Sequence, residues 1–140
     1  MSIDTLNYTI HSDKNVTAAE LADLFSAVGW YNGDGDLTYA IQGTTFIAHA
    51  RDEKGKLLGY VSALSDGVFT TFVDMVLVRP EAQRHGIGRA LVKAVETHFQ
   101  GVPMYAMPFT DLHEFFLKLG YWDKTQKART MVPMSKRNPA

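Results

Sequence analysis

The residues best suited to chemistry in this chain lie in one short run, Gln83-Arg84-His85-Gly86-Ile87-Gly88-Arg89. Its glycines stand at the head of a long apolar stripe and its arginines bracket them. A helix start leaves several backbone amides without partners and carries partial positive charge. Glycine removes the Cβ that would hold an anion away from those amides. The run therefore reads as a cradle for a phosphate or pyrophosphate. Net charge is −1, from 14 basic and 15 acidic residues, so nothing suggests a general attraction to nucleic acid or an acidic membrane. An anion has to be held by local donors. The chain has no cysteine, which excludes disulfides, thiolate metal ligands and cysteine nucleophiles together.

Two common phosphate-binding turns do not fit. A dinucleotide-binding turn places its first glycine directly after a strand, a third glycine at the sixth position and an acid about 20 residues later. Here several residues separate Val78 from Gly86, Leu91 stands at the third-glycine position, and Phe109 lies near the place of the acid. A P-loop needs Gly-Lys-Ser/Thr, whereas Gly88 is followed by Arg89-Ala90.

The elements that position this run can be read from periodicity. Leu6 to His11 alternates as a first strand, and Thr17 with Glu20 has the spacing of a capping box before a helix carrying Leu21, Leu24, Phe25 and Val28. Gly29 stops it, and the loop Trp30 to Gly35 leads to a short helix over Leu37 to Ile41. Thr44 to Arg51 and Lys56 to Leu64 form a hairpin across Asp52-Glu53-Lys54-Gly55, and Ser65-Asp66-Gly67 turns into Val68 to Val78. The near-continuous apolar run Phe72 to Val78 predicts a central strand buried on both faces. After Pro80 comes a helix whose stripe is Ile87, Ala90, Leu91, Ala94, Val95 and Phe99, then a strand over Val102 to Met107. Strand, helix and strand in succession imply a right-handed parallel crossover. Asp111 with Glu114 predicts a second capping box, opening a helix with Leu112, Phe115, Phe116 and Leu119 on one face. Trp122 to Thr125 and Ala128 to Met134 read as final strands, and 135–140 as a frayed tail.

The chain has 140 residues, with 46% apolar and 21% charged, which suits one globular domain over 1–140. Met1 to Tyr8 lacks the pattern of a signal peptide, and no apolar run approaches the roughly 20 residues that span a bilayer. A cytoplasmic protein is the expectation by elimination. His11, His49 and His98 have no metal-ligand spacing, and no metal is expected.

With these elements around it, Gln83-Arg84-His85-Gly86-Ile87-Gly88 resembles the signature of the GCN5-related N-acetyltransferase (GNAT) superfamily: Gln or Arg, two variable residues, Gly, one variable residue, Gly or Ala. Val78-Arg79-Pro80-Glu81 before it and Ala90-Leu91 after it agree, and Phe115-Phe116-Leu117-Lys118-Leu119-Gly120-Tyr121 looks like the second motif. The resemblance implies a mixed α/β fold: a mainly antiparallel central sheet, helices on both faces and a splayed pair of parallel strands. It implies acetyl-CoA as cosubstrate and direct transfer to a primary amine, on a small molecule or a peptide. A catalytically silent acyl-CoA-binding module is the alternative. The CoA site would comprise Met75, Val76, Leu77 and Val78 of one strand, whose backbone would meet the pantetheine arm. It would also take in Gln83, Arg84, His85, Gly86, Ile87, Gly88, Arg89 and Ala90 around the pyrophosphate.

A carboxylate in the equivalent strand is common in the family. Asp74, which interrupts an apolar strand, is either the general base that frees the amine or a structural hydrogen-bond acceptor. Phe116 stands where the family usually has the tyrosine that protonates the thiolate. Tyr105 is either a replacement donor or an ordinary half-buried strand tyrosine. Trp30 and Tyr31 either line the acceptor pocket or pack, and His113 is a weaker base candidate. His85 stands in the proposed phosphate loop and either serves it or simply faces solvent. A strand edge left at the C-terminal end would permit a homodimer.

Overall fold

The computed structural model describes residues 5–30, 35–108, 110–123, 134 and 136. The chain divides into two compact units, one ending at Ala106 and the other beginning at Met107. The first contains β1 (Thr9–His11), α1 (Ala18–Ala27), α2 (Leu37–Gly43), β2 (Phe46–Arg51), β3 (Leu57–Ser65), β4 (Thr71–Val78), α3 (Ile87–His98) and β5 (Met104–Ala106). Its strands make one five-stranded sheet in the order β1-β2-β3-β4-β5, antiparallel except for the parallel pair β4–β5. This is the mixed, mainly antiparallel sheet expected, with α3 as the crossover.

Alternation along the strands divides the core in two. Phe46, Ala48 and Ala50 of β2, Val61 and Ala63 of β3 and Val73 of β4 pack with Ile87, Leu91 and Val95 of α3. On the other face Ile47, Leu57, Tyr60 and Leu77 pack with Leu21, Leu24 and Phe25 of α1 and Ile41 of α2. Helices thus cover both faces. Gly59 sets how close α3 can come: a Cβ there would lie 2.9 Å from Ile87 Cγ2, 3.0 Å from Leu91 Cδ1 and 3.1 Å from the Leu77 carbonyl.

The first capping box forms as predicted. The Glu20 amide donates to Thr17 Oγ1 at 3.1 Å, and the Thr17 amide donates to Glu20 Oε1 at 3.0 Å. Glu20 also receives the Arg51 guanidinium of β2, so the same carboxylate starts α1 and ties it to the sheet. That guanidinium, before the cap itself, holds the Glu20 carboxyl down at about 2.

Several boundaries differ from the sequence expectation: β5 spans only Met104–Ala106 instead of Val102 to Met107, β2 starts at Phe46 instead of Thr44, and α2 runs on to Gly43. β1 starts at Thr9, not Leu6. Residues 66–70 form a loop because the Asp66 carboxylate accepts from the amides of Val68, Phe69 and Thr70, so β4 begins only at Thr71. In the second unit, α4 (His113–Lys118) follows a 3-10 turn at Thr110–Leu112, and its N-cap is Leu112 with no side-chain cap. The Asp111–Glu114 capping box does not form, since the tighter turn carries Asp111 into the element before the helix. Phe116 is buried there, its ring edge-on to Phe115 and Tyr121. The strands expected over 122–125 and 128–134 lie largely outside the described residues.

Candidate active site

β4 leads into the glycine run through a buried anchor. Arg79, 6% exposed, donates from Nε to the Leu57 carbonyl at 2.7 Å and pairs with Asp23 of α1, so its charge is spent inside the fold. A short 3-10 turn, Pro80–Ala82, then inserts Ala82 into the core. The Gln83 side chain bends back and its Nε2 donates to the Val78 carbonyl at 3.0 Å. Two residues then take left-handed backbone angles, Arg84 at φ 67° and Gly86 at φ 84°. Such a conformation strains a residue with a side chain, and it recurs at ligand-binding turns. Ile87, 1% exposed, fixes the start of α3 in the core. Tyr8 supports the turn from outside, its hydroxyl 3.4 Å from the His85 carbonyl.

Among the described residues, the amides from Arg84 to Arg89 make no hydrogen bond. Each is a donor that the fold has left for something else, at the positive end of the α3 dipole. The exposed Arg84 and Arg89 add full charges. Donors of this kind fit a diphosphate. Of the sequence candidates, Arg84, His85, Gly86, Ile87, Gly88 and Arg89 contribute amides at this end. The Ala90 amide is taken by the Gly86 carbonyl at 3.0 Å, and the Gln83 side chain by Val78.

β4 and β5 pair only at Thr71–Met104, Phe72–Tyr105 and Val73–Ala106. Beyond Val73 no strand lies along the outer edge of β4 among the described residues. The Arg79 amide bonds to the Leu58 carbonyl at 2.8 Å, which makes Tyr60–Leu77 and Ser62–Met75 the hydrogen-bonded pairs of the antiparallel ladder. The backbone groups of Met75 and Leu77 therefore turn to β3, while those of Val76 and Val78 turn to the open edge. Gln83 occupies the Val78 carbonyl. The Val76 N–H and C=O and the Val78 N–H remain on that edge, in line with the loop.

Asp74 lies at the start of this edge in a β-bulge: Ser62 pairs with Met75 and Ala63 with Val73, so Asp74 is the extra residue. Bulges re-aim side chains and end pairing. The Asp74 carboxyl reaches solvent, yet the protein around it removes enough water to raise its pKa above the usual carboxylate value. Burial, and then the charge of Asp74, push the Tyr60 phenol up to about 12. Tyr105 stands at the middle of β5, opposite Phe72 and half-buried. Trp30 follows α1 with its ring 5.9 Å from that of Phe25, and Tyr31 lies outside the described residues. His113 belongs to the second unit, where it meets Asp123 at 3.1 Å.

Sequence reasoning missed Ser62. It is 2% exposed and its hydroxyl has no hydrogen-bond partner among the described residues. A serine in an apolar strand carries no signal; its place opposite the bulge depends on register. Arg79 was legible as a residue of the motif, but not as a buried ion-pair anchor.

The profile of the acetyltransferase (GNAT) family matches residues 15–121. An uncharacterised N-acetyltransferase of the alga Pyropia yezoensis is 26% identical over 121 residues, covering 80% of this chain and 68% of that protein. Among solved structures, a GNAT-family acetyltransferase from Streptococcus pneumoniae superposes with a TM-score of 0.74 at 25% identity, covering 94% of this chain and 100% of its own. An aminoglycoside acetyltransferase from an uncultured soil metagenomic sample, solved with sisomicin, shares the fold at a TM-score of 0.66 and 15% identity, over 94% of this chain and 97% of its own. A matched profile across most of the chain, on a sheet opened beside an amide-lined turn, makes this protein a member of the GNAT family of acetyltransferases.

Proposed function

We propose that this acetyltransferase takes its acetyl group from acetyl-CoA and passes it to a primary amine by direct attack in a ternary complex. The observation that carries the reading is the continuity between the amides of Arg84 to Arg89 and the outer edge of β4, unpaired beyond Val73 among the described residues. The loop amides, with Arg84 and Arg89, would hold the pyrophosphate. Val76 and Val78 would pair with the amides of the pantetheine arm. Bound there, acetyl-CoA supplies a thioester carbonyl open to attack. The relatives' description as N-acetyltransferases supports nitrogen as the acceptor atom.

The residues at the bulge then have separate tasks. An alkyl ammonium must lose a proton before its lone pair can form the new C–N bond, and Asp74 accepts that proton. Its raised pKa brings the base closer to working pH than an ordinary carboxylate. As the C–S bond breaks, Tyr105, the sole side-chain acid on β5, returns a proton to the thiolate. With no cysteine in the chain, a cysteine acyl-enzyme is excluded.

One residue favours a silent acyl-CoA-binding module instead: Phe116, with no proton to give, at the family's tyrosine position. The test is a panel of primary amines with acetyl-CoA and detection of free thiol. Thiol released in proportion to acetylated amine supports transfer. Binding of acetyl-CoA with no turnover on any amine supports the silent module.

A further inference from the structure

The sheet face that bears Asp74 holds residues that acetyl transfer alone does not use. Leu64 of β3, Phe72 of β4 and Tyr105 of β5 are direct partners in register, so their side chains form one row across three strands. In the neighbouring row Ser62 stands opposite Met75, beside the bulged Asp74. The row after that, Tyr60 and Leu77, lies in the core under α1, which identifies the face. Core packing takes in Tyr60 and Leu77, and in part Met75, with Ser62 buried in the row of Met75, but leaves the outer row open. Leu64 is 46% exposed, and Phe72 and Tyr105 are half-buried.

Charge on the strands of this face is sparse among the described residues. Asp74 is the only acid in β3, β4 and β5. The α1 acids are already engaged, Glu20 with Arg51 and Asp23 with Arg79. Opposite the bulge in register, the Ser62 hydroxyl is buried with no hydrogen-bond partner among the described residues. A buried polar group in this state is costly to the fold, and a ligand group that completes its hydrogen bonding accounts for its presence.

Resting on the reading of the protein as an amine acetyltransferase, we propose that its acceptor is a primary amine with one positive charge carried on an apolar body. The nitrogen lies between Asp74 and Ser62, with the Ser62 oxygen accepting from an N–H. The apolar body lies on the Leu64–Phe72–Tyr105 row. A polyamine or an aminoglycoside brings several ammonium groups, of which one carboxylate matches one. The others find no second carboxylate on these strands, and an unpaired charge against the Leu64–Phe72–Tyr105 row is strongly disfavoured.

The test compares 2-phenylethylamine, propylamine and spermidine as acceptors. Each amine is also titrated calorimetrically into the protein with free CoA present, so binding is read even where turnover is absent. Acetyl-CoA alone is titrated in parallel. The expected result is a kcat/KM and an affinity at least about tenfold better for 2-phenylethylamine than for propylamine, with spermidine no better than propylamine. In Leu64→Ser, at an exposed position, and in Phe72→Ala, that ratio falls toward one. In Ser62→Ala, KM rises for both monoamines while their ratio is kept. Preference for spermidine, or a ratio unchanged in Leu64→Ser and Phe72→Ala, overturns the acceptor class while leaving the transferase reading in place. Failure of the wild type to bind acetyl-CoA overturns both.

Discussion

Among the described residues, Asp74 differs from the other carboxylates whose ionisation the fold shifts. Asp13, Glu20, Asp52 and Asp66 are all lowered, each chiefly by hydrogen bonds, while Asp74 is raised by burial. An acid with a folded pKa above its unfolded one is less stable as a carboxylate in the fold than in the open chain. Asp74 therefore subtracts stability above its folded pKa, and that loss disappears as pH falls below the unfolded value. Asp74→Asn should raise the melting temperature at pH 7 while lowering kcat about 100-fold. The wild-type kcat/KM should rise with pH through the Asp74 ionisation, and the variant should lack that limb. A melting temperature that falls with activity kept would mark Asp74 as structural. Tyr105→Phe should lower kcat by about tenfold or less at unchanged KM, because a thiolate with a pKa near ~8.5 leaves with little help. Steady-state kinetics checks this. Asp74 was legible as a charge interrupting an apolar strand. Ser62 and the left-handed Arg84 were not, since neither residue type announces its register or backbone angle.

At the scale of elements, the site depends on two departures from regular structure. The bulge at Asp74 and the early end of β4–β5 pairing expose an edge that a regular sheet would have filled. Helix α3 must also begin where β4 ends, which requires close packing on β3 at Gly59. Gly59→Val would press on Ile87, Leu91 and the Leu77 carbonyl, and should destabilise the fold by about 1–3 kcal/mol. Because Ile87 fixes the start of α3, acetyl-CoA affinity should fall with it; chemical denaturation and titration read the two effects. The Glu20–Arg51 tie joins α1 to the sheet. With Glu20 held at about 2 against an ordinary 4.5, its contribution is complete above about 4.5 and is lost as pH falls toward 2. Glu20→Gln should flatten the acid limb of a stability–pH curve. An equally steep limb in the variant would assign it to other groups. Helix α3, the Thr17–Glu20 box and the β2–β3 hairpin were legible because periodicity and capping act locally. The start of β4 was not, because Asp66 competes for the amides of Val68, Phe69 and Thr70. Nor was the start of α4, which a 3-10 turn precedes.

Across the whole molecule, formal charge is close to balanced, at −1. A long-range field therefore does little to gather an anionic ligand, and affinity must come from the loop's own donors. Binding of the acetyl-CoA diphosphate by these amides is tested most directly by Gly88→Glu. A glutamate in the first turn of α3 suits the helix dipole and has better helix propensity than glycine, so the melting temperature should hold or rise. Its carboxylate would compete for the amides and repel the phosphates. Isothermal titration of acetyl-CoA should show micromolar binding to the wild type and none to the variant. Equal binding by both, or none by the wild type, would mean that these amides do not hold the diphosphate.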